Sequence, residues 1–359
     1  MICLHGFPSA SALLYREQVP FLVAQGYHVA CPSLRGFGYS SAPPNVEDYH
    51  CEAIVADIEG LVRALGHEHC ILVAHDWGAI LGWHFMLLRP DTFKAYFCIS
   101  VPCYDKCPRV NPAHTETPLE AAKRNYKFGE ADSVYWYLLF HNNLYTDIHG
   151  FPPESDYETD LAVTFRKTFQ NWANLSEDDV SEPPVGGLPV KRNAGKQTGS
   201  PSLGGHLARK GLPKALAPFT TEEDERYWIQ QYSNSGFRGP LNLYRNVDAN
   251  FHLFEQHLGK KIEQPVFFVG GGADSIISTS RWEGWISPAS EGGDLGKPGP
   301  WEAEMRKVAP NLLDCRVIEG GCHWLTIEKA AEVNEHLGRF LASGAVREAI
   351  AGGAHCSRL

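Results

Sequence analysis

The chain alternates between short, wholly apolar runs and longer stretches with helical periodicity. Cys70-Ile71-Leu72-Val73-Ala74 carries no polar residue, as expected of a strand buried on both faces. Tyr27-His28-Val29-Ala30-Cys31 is a strand-like run that stops at Pro32, and Tyr96-Phe97-Cys98-Ile99-Ser100-Val101 is another. Between them Ile54, Ile58, Leu61, Val62 and Leu65 recur at helical spacing. Gly78 to Leu88 reads as a helix stopped by Pro90. Strand-like runs separated by helical ones predict βαβ units and a mostly parallel sheet flanked by helices.

The alternation breaks after Pro102. Residues 103–250 are rich in Trp, Tyr and helix formers, without clean strands, and read as an inserted helical cap. Within it, 182–218 is rich in Pro, Gly and Lys, which predicts a disordered insert. The alternation resumes with Val266-Phe267-Phe268-Val269, a Gly/Pro-rich loop at 286–300, the strand Arg316-Val317-Ile318 and a helix near Ile327–Leu341. The expected organisation is a core of 1–102 and 251–359 with a cap at 103–250.

Composition narrows the function classes. A net charge of −10 with no basic stripe argues against a nucleic-acid partner. The 10 cysteines form no Cys-x-x-Cys pair and no zinc-finger spacing, so neither a metal site nor a disulfide framework is expected. No apolar run approaches the roughly 20 residues needed to span a bilayer.

The chemistry centres on Asp76. The strand at 70–74 runs into Ala74-His75-Asp76-Trp77-Gly78-Ala79 and then a helix. Small residues at Ala74 and Gly78 suit a sharp strand-to-helix turn, the arrangement that more commonly carries Gly-x-Ser-x-Gly. That motif is absent from the chain, which argues against a serine esterase. A carboxylate at such a turn needs no deprotonation to attack an sp³ carbon and form an ester. The bland reading of Asp76 is a helix N-cap.

Two further residues follow strand ends in the order nucleophile, acid, histidine. Asp274 comes after Val269 and a run of glycines; His323 comes after Ile318 and Gly320-Gly321. The C-terminal edge of an open α/β sheet is where such folds place their sites. His323 would act as general base on water, oriented by Asp274. The loop His5-Gly6-Phe7-Pro8 would aim the Phe7 N–H at the nucleophile, with the Trp77 N–H as second oxyanion donor.

These motifs resemble the soluble epoxide hydrolases of the α/β-hydrolase superfamily. The resemblance rests on His5-Gly6-Phe7-Pro8, His75-Asp76-Trp77-Gly78-Ala79, Asp274, and Gly321-Cys322-His323-Trp324. It extends to Phe237-Arg238-Gly239-Pro240-Leu241-Asn242-Leu243-Tyr244-Arg245-Asn246 and Tyr137-Leu138-Leu139-Phe140-His141 in the cap. It implies two cap tyrosines that donate to the epoxide oxygen, Tyr244 and Tyr137, with Tyr135 as the alternative to the latter. It also implies a small apolar epoxide as substrate, a vicinal diol as product, and no metal or organic cofactor.

The resemblance covers roughly 1–175 and 219–345, and other readings stay open. Only four residues precede His5, whereas the family has further strands there, so first strands are expected to be missing. A haloalkane dehalogenase also uses an Asp nucleophile followed by Trp, but typically carries Asn where this chain has Phe7, and lacks the Tyr244 segment. A ligand-binding relative or a truncated, inactive product is the non-catalytic alternative. The terminal Ser357-Arg358-Leu359 resembles the peroxisomal address Ser-Lys-Leu, predicting recognition by an import receptor, with the cytoplasm as the alternative location.

Overall fold

A computed structural model describes residues 1–103, 112–113, 115–125, 134–144, 152–170, 180–181, 212–278 and 300–351. Among them run seven strands: β1 Ile2–Leu4, β2 Cys70–His75, β3 Phe93–Ile99, β4 Val180–Ser181, β5 Leu212–Pro213, β6 Val266–Gly271 and β7 Leu312–Ile318. The chain forms two compact units. One comprises Met1–Leu34, His50–Thr115 and Asn250–Leu359; the other comprises Arg35–Tyr49 and Glu116–Ala249.

The first unit is built on a sheet in the order β1-β2-β3-β6-β7, parallel throughout. All six residues of β2 are buried, which is why its sequence shows no alternation. Leu72 and Val73 lie at the centre of this layer with no exposed surface, so truncating Leu72 to Ala would cost about 2–5 kcal/mol. The Cys51–Ala64 helix starts where the His50 side chain accepts from the Ala53 N–H. It buries Cys51, Ile54, Val55, Ile58 and Val62 along one face. The Trp77–Leu88 helix is buried over almost its whole length. Its Gly82 lets the Tyr96 ring pack closely, since a Cβ there would meet that ring at 2.7 Å.

Several strand boundaries differ from the sequence reading, and β6 runs on to Gly271. The 27–31 run contributes a single bridging residue, Ala30, paired with Ile2. Pro32, lacking an N–H, cannot extend that ladder. β3 begins earlier, at Phe93, and ends at Ile99 because Ser100 turns to φ 70. β7 begins at Leu312, and its mixed burial hides it from a search for continuous apolar runs. The closing helix is two, Leu325–Glu328 and Ala330–Ala342.

The second unit is largely helical among its described residues. Thr221 and Asp224 form a reciprocal capping box at the start of the Glu222–Ser235 helix, and Gly236 at φ 62 ends it. The Arg238–Arg245 helix buries Leu241, Leu243 and Tyr244. Gly36 and Gly239 approach so closely that a Cβ on Gly239 would lie 2.6 Å from the Gly36 Cα. β4 and β5 pair as a two-residue antiparallel ribbon, so the 182–218 stretch ends in structure. Residues 182–211, like the loop at 286–299, lie outside the described residues.

Candidate active site

Each of the five parallel strands delivers one part of a single constellation from its C-terminal end. β1 leads into His5–Pro8, β2 into Asp76, β3 into Ser100, β6 into Asp274 and β7 into His323. Parallel strands put all these ends on one edge of the sheet, where separate chain segments converge.

Asp76 occupies φ 54, ψ −122, a conformation costly for any residue with a Cβ. Its side chain caps no helix N–H, which removes the N-cap reading. Instead Oδ1 accepts the Phe7 N–H at 2.6 Å. Gly6 makes this approach feasible: a Cβ there would sit 2.0 Å from Asp76 Oδ1 and 2.5 Å from the Trp77 nitrogen. Gly78, two residues after Asp76, likewise permits close approach, since a Cβ there would meet the Leu4 carbonyl at 2.4 Å. Trp77 opens its helix, so its N–H belongs to the helix's first turn. That helix end also favours a negative charge on Asp76.

The histidine and second carboxylate complete a chain of contacts. His323 Nδ1 lies 2.8 Å from Asp274 Oδ2, and His323 Nε2 lies 3.4 Å from Asp76 Oδ2. Asp274 is buried, and its other oxygen accepts the Ile276 N–H at 2.9 Å. With Nδ1 donating to Asp274, the ring presents Nε2 to Asp76. The His323 carbonyl accepts from His75 Nε2 at 2.7 Å and from the Ser100 hydroxyl at 3.0 Å. The backbone behind the imidazole is thereby fixed.

Protonation follows from these contacts. Burial opposes charge on His323, but Asp274 and then Asp76 outweigh it and raise its pKa to about 10. Burial likewise pushes Asp76 up, but the His323 hydrogen bond and charge, His75 and the Phe7 N–H bring it below its ordinary value. The resting site is therefore an ion pair at neutral pH. His75 and His5 go the other way. Burial lowers both to about 4, so each is neutral. His5 uses both ring nitrogens on backbone, donating from Nδ1 to the Gly6 carbonyl and accepting the Leu34 N–H at Nε2. Pro8 closes the loop, and the Ser9 hydroxyl donates back to the Gly6 carbonyl.

The second unit holds a separate cluster of phenols. The Tyr137 and Tyr244 hydroxyls lie 3.0 Å apart, with rings edge to face. The His141 ring packs 4.0 Å from Tyr137 and 4.3 Å from Tyr244, centroid to centroid, and its Nε2 lies 2.7 Å from the Tyr157 hydroxyl. Tyr244 is held by its own helix, and its carbonyl accepts from Asn142. The side chain of Tyr135, the alternative partner, lies outside the described residues.

Sequence reasoning missed three contributors. Ser100 follows a strand end, as Asp76 does, and that position is a usable signal. His141 stands four residues after Tyr137, on the same helical face. Tyr157 carried no signal in the sequence. Among the described residues, no group of three or more His, Cys, Asp or Glu could hold a metal ion.

Comparison with known proteins identifies the family. Over 345 residues the chain is 31% identical to epoxide hydrolase A of Mycobacterium tuberculosis (strain ATCC 25618 / H37Rv), covering 95% of this chain and 89% of that one. The chain belongs to the epoxide hydrolases. This hydrolase is also 28% identical over 344 residues to bifunctional epoxide hydrolase 2 of Rattus norvegicus, of which it spans 51%. Among solved structures it matches epoxide hydrolase A from Mycobacterium thermoresistibile with a TM-score of 0.70 and 30% identity, over 95% of this chain and 90% of that chain. Residues 1–135 match the family described as alpha/beta hydrolase fold. The enzyme is thus an α/β-hydrolase-fold member of the ether-bond hydrolases.

Proposed function

We propose that this hydrolase converts an epoxide to a vicinal diol through a covalent ester on Asp76. The observation that carries the assignment is the division of labour on that carboxylate. Oδ1 is tied to the Phe7 N–H, and Oδ2 faces His323. Oδ2 is the oxygen that attacks a ring carbon, and the C–O bond to the ring oxygen breaks. Tyr137 and Tyr244 donate to that oxygen, and one of them gives it a proton. The result is a hydroxyalkyl ester and a phenolate.

Ester formation removes the Asp76 charge, one of the causes that hold His323 protonated. The imidazole pKa falls, His323 loses its proton, and the phenolate recovers one. Neutral His323, oriented by Asp274, then takes a proton from water as the hydroxide adds to Cγ of Asp76. The Phe7 and Trp77 N–H groups stabilise the resulting oxyanion. Collapse expels the diol oxygen, which takes the proton from His323. The carboxylic acid left on Asp76 returns a proton to His323 and restores the resting ion pair. Neutral His5 and His75 hold the loop and the His323 backbone without adding a competing charge.

The test is His323→Gln exposed to an epoxide such as styrene oxide. The adduct should accumulate on the Asp76 peptide, raising the intact mass by the mass of the epoxide. Normal turnover without an adduct would rule out the ester route.

No helix of the described residues is long and apolar enough to cross a membrane. Delivery to peroxisomes through Ser357-Arg358-Leu359 rests on the sequence alone, since 352–359 lie outside the described residues. A fluorescent fusion that leaves this tripeptide at the C-terminus should collect in peroxisomes, and a diffuse signal would count against it.

A further inference from the structure

Four polar groups in the second unit follow one another: the hydroxyls of Tyr244, Tyr137 and Tyr157, and Nε2 of His141. Tyr244 and Tyr137 are 3.0 Å apart, a side-chain hydrogen bond joins Tyr137 to Tyr157, and His141 Nε2 stands 2.7 Å from the Tyr157 hydroxyl. Tyr157 and His141 are fully buried, and Tyr244 nearly so. The Tyr157 ring stacks with His141 and with Phe237, the latter at 4.9 Å and 10°.

A phenol has one proton to donate. Resting on the function proposed above, Tyr137 and Tyr244 must each donate to the epoxide oxygen. The Tyr137–Tyr157 bond then has to be donated by Tyr157, which spends that residue's only proton. The Tyr157–His141 bond must in turn be donated by His141, from an Nε2–H. If Nε2 is instead a lone pair, Tyr157 donates to it, Tyr137 donates to Tyr157, and one proton donor is withdrawn from the substrate. We propose that His141 is a positioning residue whose Nε2–H, acting through Tyr157, sets the direction of the hydroxyl chain so that both cap tyrosines can donate to the epoxide. His141 touches no reacting atom. It decides which way its neighbours' protons point.

The test measures the single-turnover rate of ester formation, read as adduct accumulation in a His323→Gln background. His141→Gln keeps an N–H donor and should stay within about threefold of its parent. His141→Leu removes the donor and should slow ester formation about tenfold, the effect of one misdirected hydrogen bond. His141→Glu, an acceptor when ionised, reverses the chain and should be slower still. The half-saturating epoxide concentration should change little, because the interaction matters most as alkoxide charge develops. In a Tyr157→Phe background the line is cut, and the Gln and Leu variants should become equal. Should His141→Leu fail to fold by circular dichroism, the near-isosteric Gln and Glu pair carries the same comparison. Equal rates for the donor and non-donor variants, or a difference that survives in Tyr157→Phe, would overturn the inference. Tyr244→Phe separates the two levels. If it is slow while Gln and Leu are equal, only the role of His141 fails. If it matches its parent, the tyrosine reading falls and this inference with it.

Discussion

The constellation around Asp76 and the phenol cluster around Tyr244 solve opposite electrostatic problems. The first manages formal charge. It places two carboxylates on one imidazole, raises that imidazole to about 10, and gives Asp76 a backbone N–H. The second is built from hydrogen-bonding rings: three phenols and an imidazole, tied by hydrogen bonds and ring packing. The materials differ accordingly. Charge is held by strand ends and backbone amides, whose positions follow from sheet register and need no reorganisation during reaction. Proton donors are held by helices and stacked rings, where the direction of each O–H is a matter of network rather than of register. In the first, a displaced atom is the main hazard; in the second, a misdirected proton.

That contrast can be broken experimentally, and the first site should be the more sensitive. Asp76→Ala removes the group proposed to form the ester and should lower diol formation by about 10⁴-fold or more, as loss of a covalent catalyst does elsewhere; full turnover in this variant would discard the proposed route. Tyr244→Phe removes one of the two proposed donors and should cost about 10²–10³-fold in ester formation. Its effect on ester hydrolysis, read from the decay of a preformed adduct, should be slight.

Gly6→Ala sharpens the point about displacement. Its Cβ would meet Asp76 Oδ1 at 2.0 Å, so the loop must move, and about 10²-fold in rate should follow while the fold survives. A melting curve near that of the parent alongside a large rate loss would separate positioning from stability.

The smallest effect is on stability against pH. His323 has a raised pKa when folded, so its contribution is fully present below its unfolded value of about 6.5 and is lost as pH rises toward 10. His5, His75 and His84 are held near 4 by burial, so their contribution is present above about 6.5 and is lost as pH falls toward 4. The melting temperature should therefore decline on both sides of neutrality. His323→Gln should flatten the alkaline limb, and it should also shift the acid limb, because His323 is the main partner that lowers Asp76 and a charge that helps lower His75. An unaltered alkaline limb would mean that the ion pair around Asp76 is not what titrates there.

How much of this was legible differs between the two regions for a physical reason. Strand β2 could be read because full burial forces a continuous apolar run, and the small residues Ala74 and Gly78 mark the turn at Asp76. Asp274 and His323 could be placed because parallel strands present their ends at a common edge. β7 was read short because only its ends are buried, so its apolar signal is interrupted. The 27–31 run has strand composition but pairs at Ala30 alone, which composition cannot reveal.

The sequence by itself pointed to Asp76 as the candidate nucleophile, to Asp274 and His323 as candidate acid and histidine in that order along the chain, to the small residues Ala74 and Gly78 at the turn, and to the Tyr244 segment. Those features are local: each follows from the steric needs of a turn or from burial of one element. Only the tertiary structure decided that His5 serves backbone on both of its nitrogens, that Ser100 and His75 hold the His323 carbonyl, and that Tyr157 and His141 stand behind the phenol pair. These are contacts between segments up to about 250 residues apart, such as His75 with His323. No periodicity records such a contact, because its partners are chosen by packing and not by spacing along the chain.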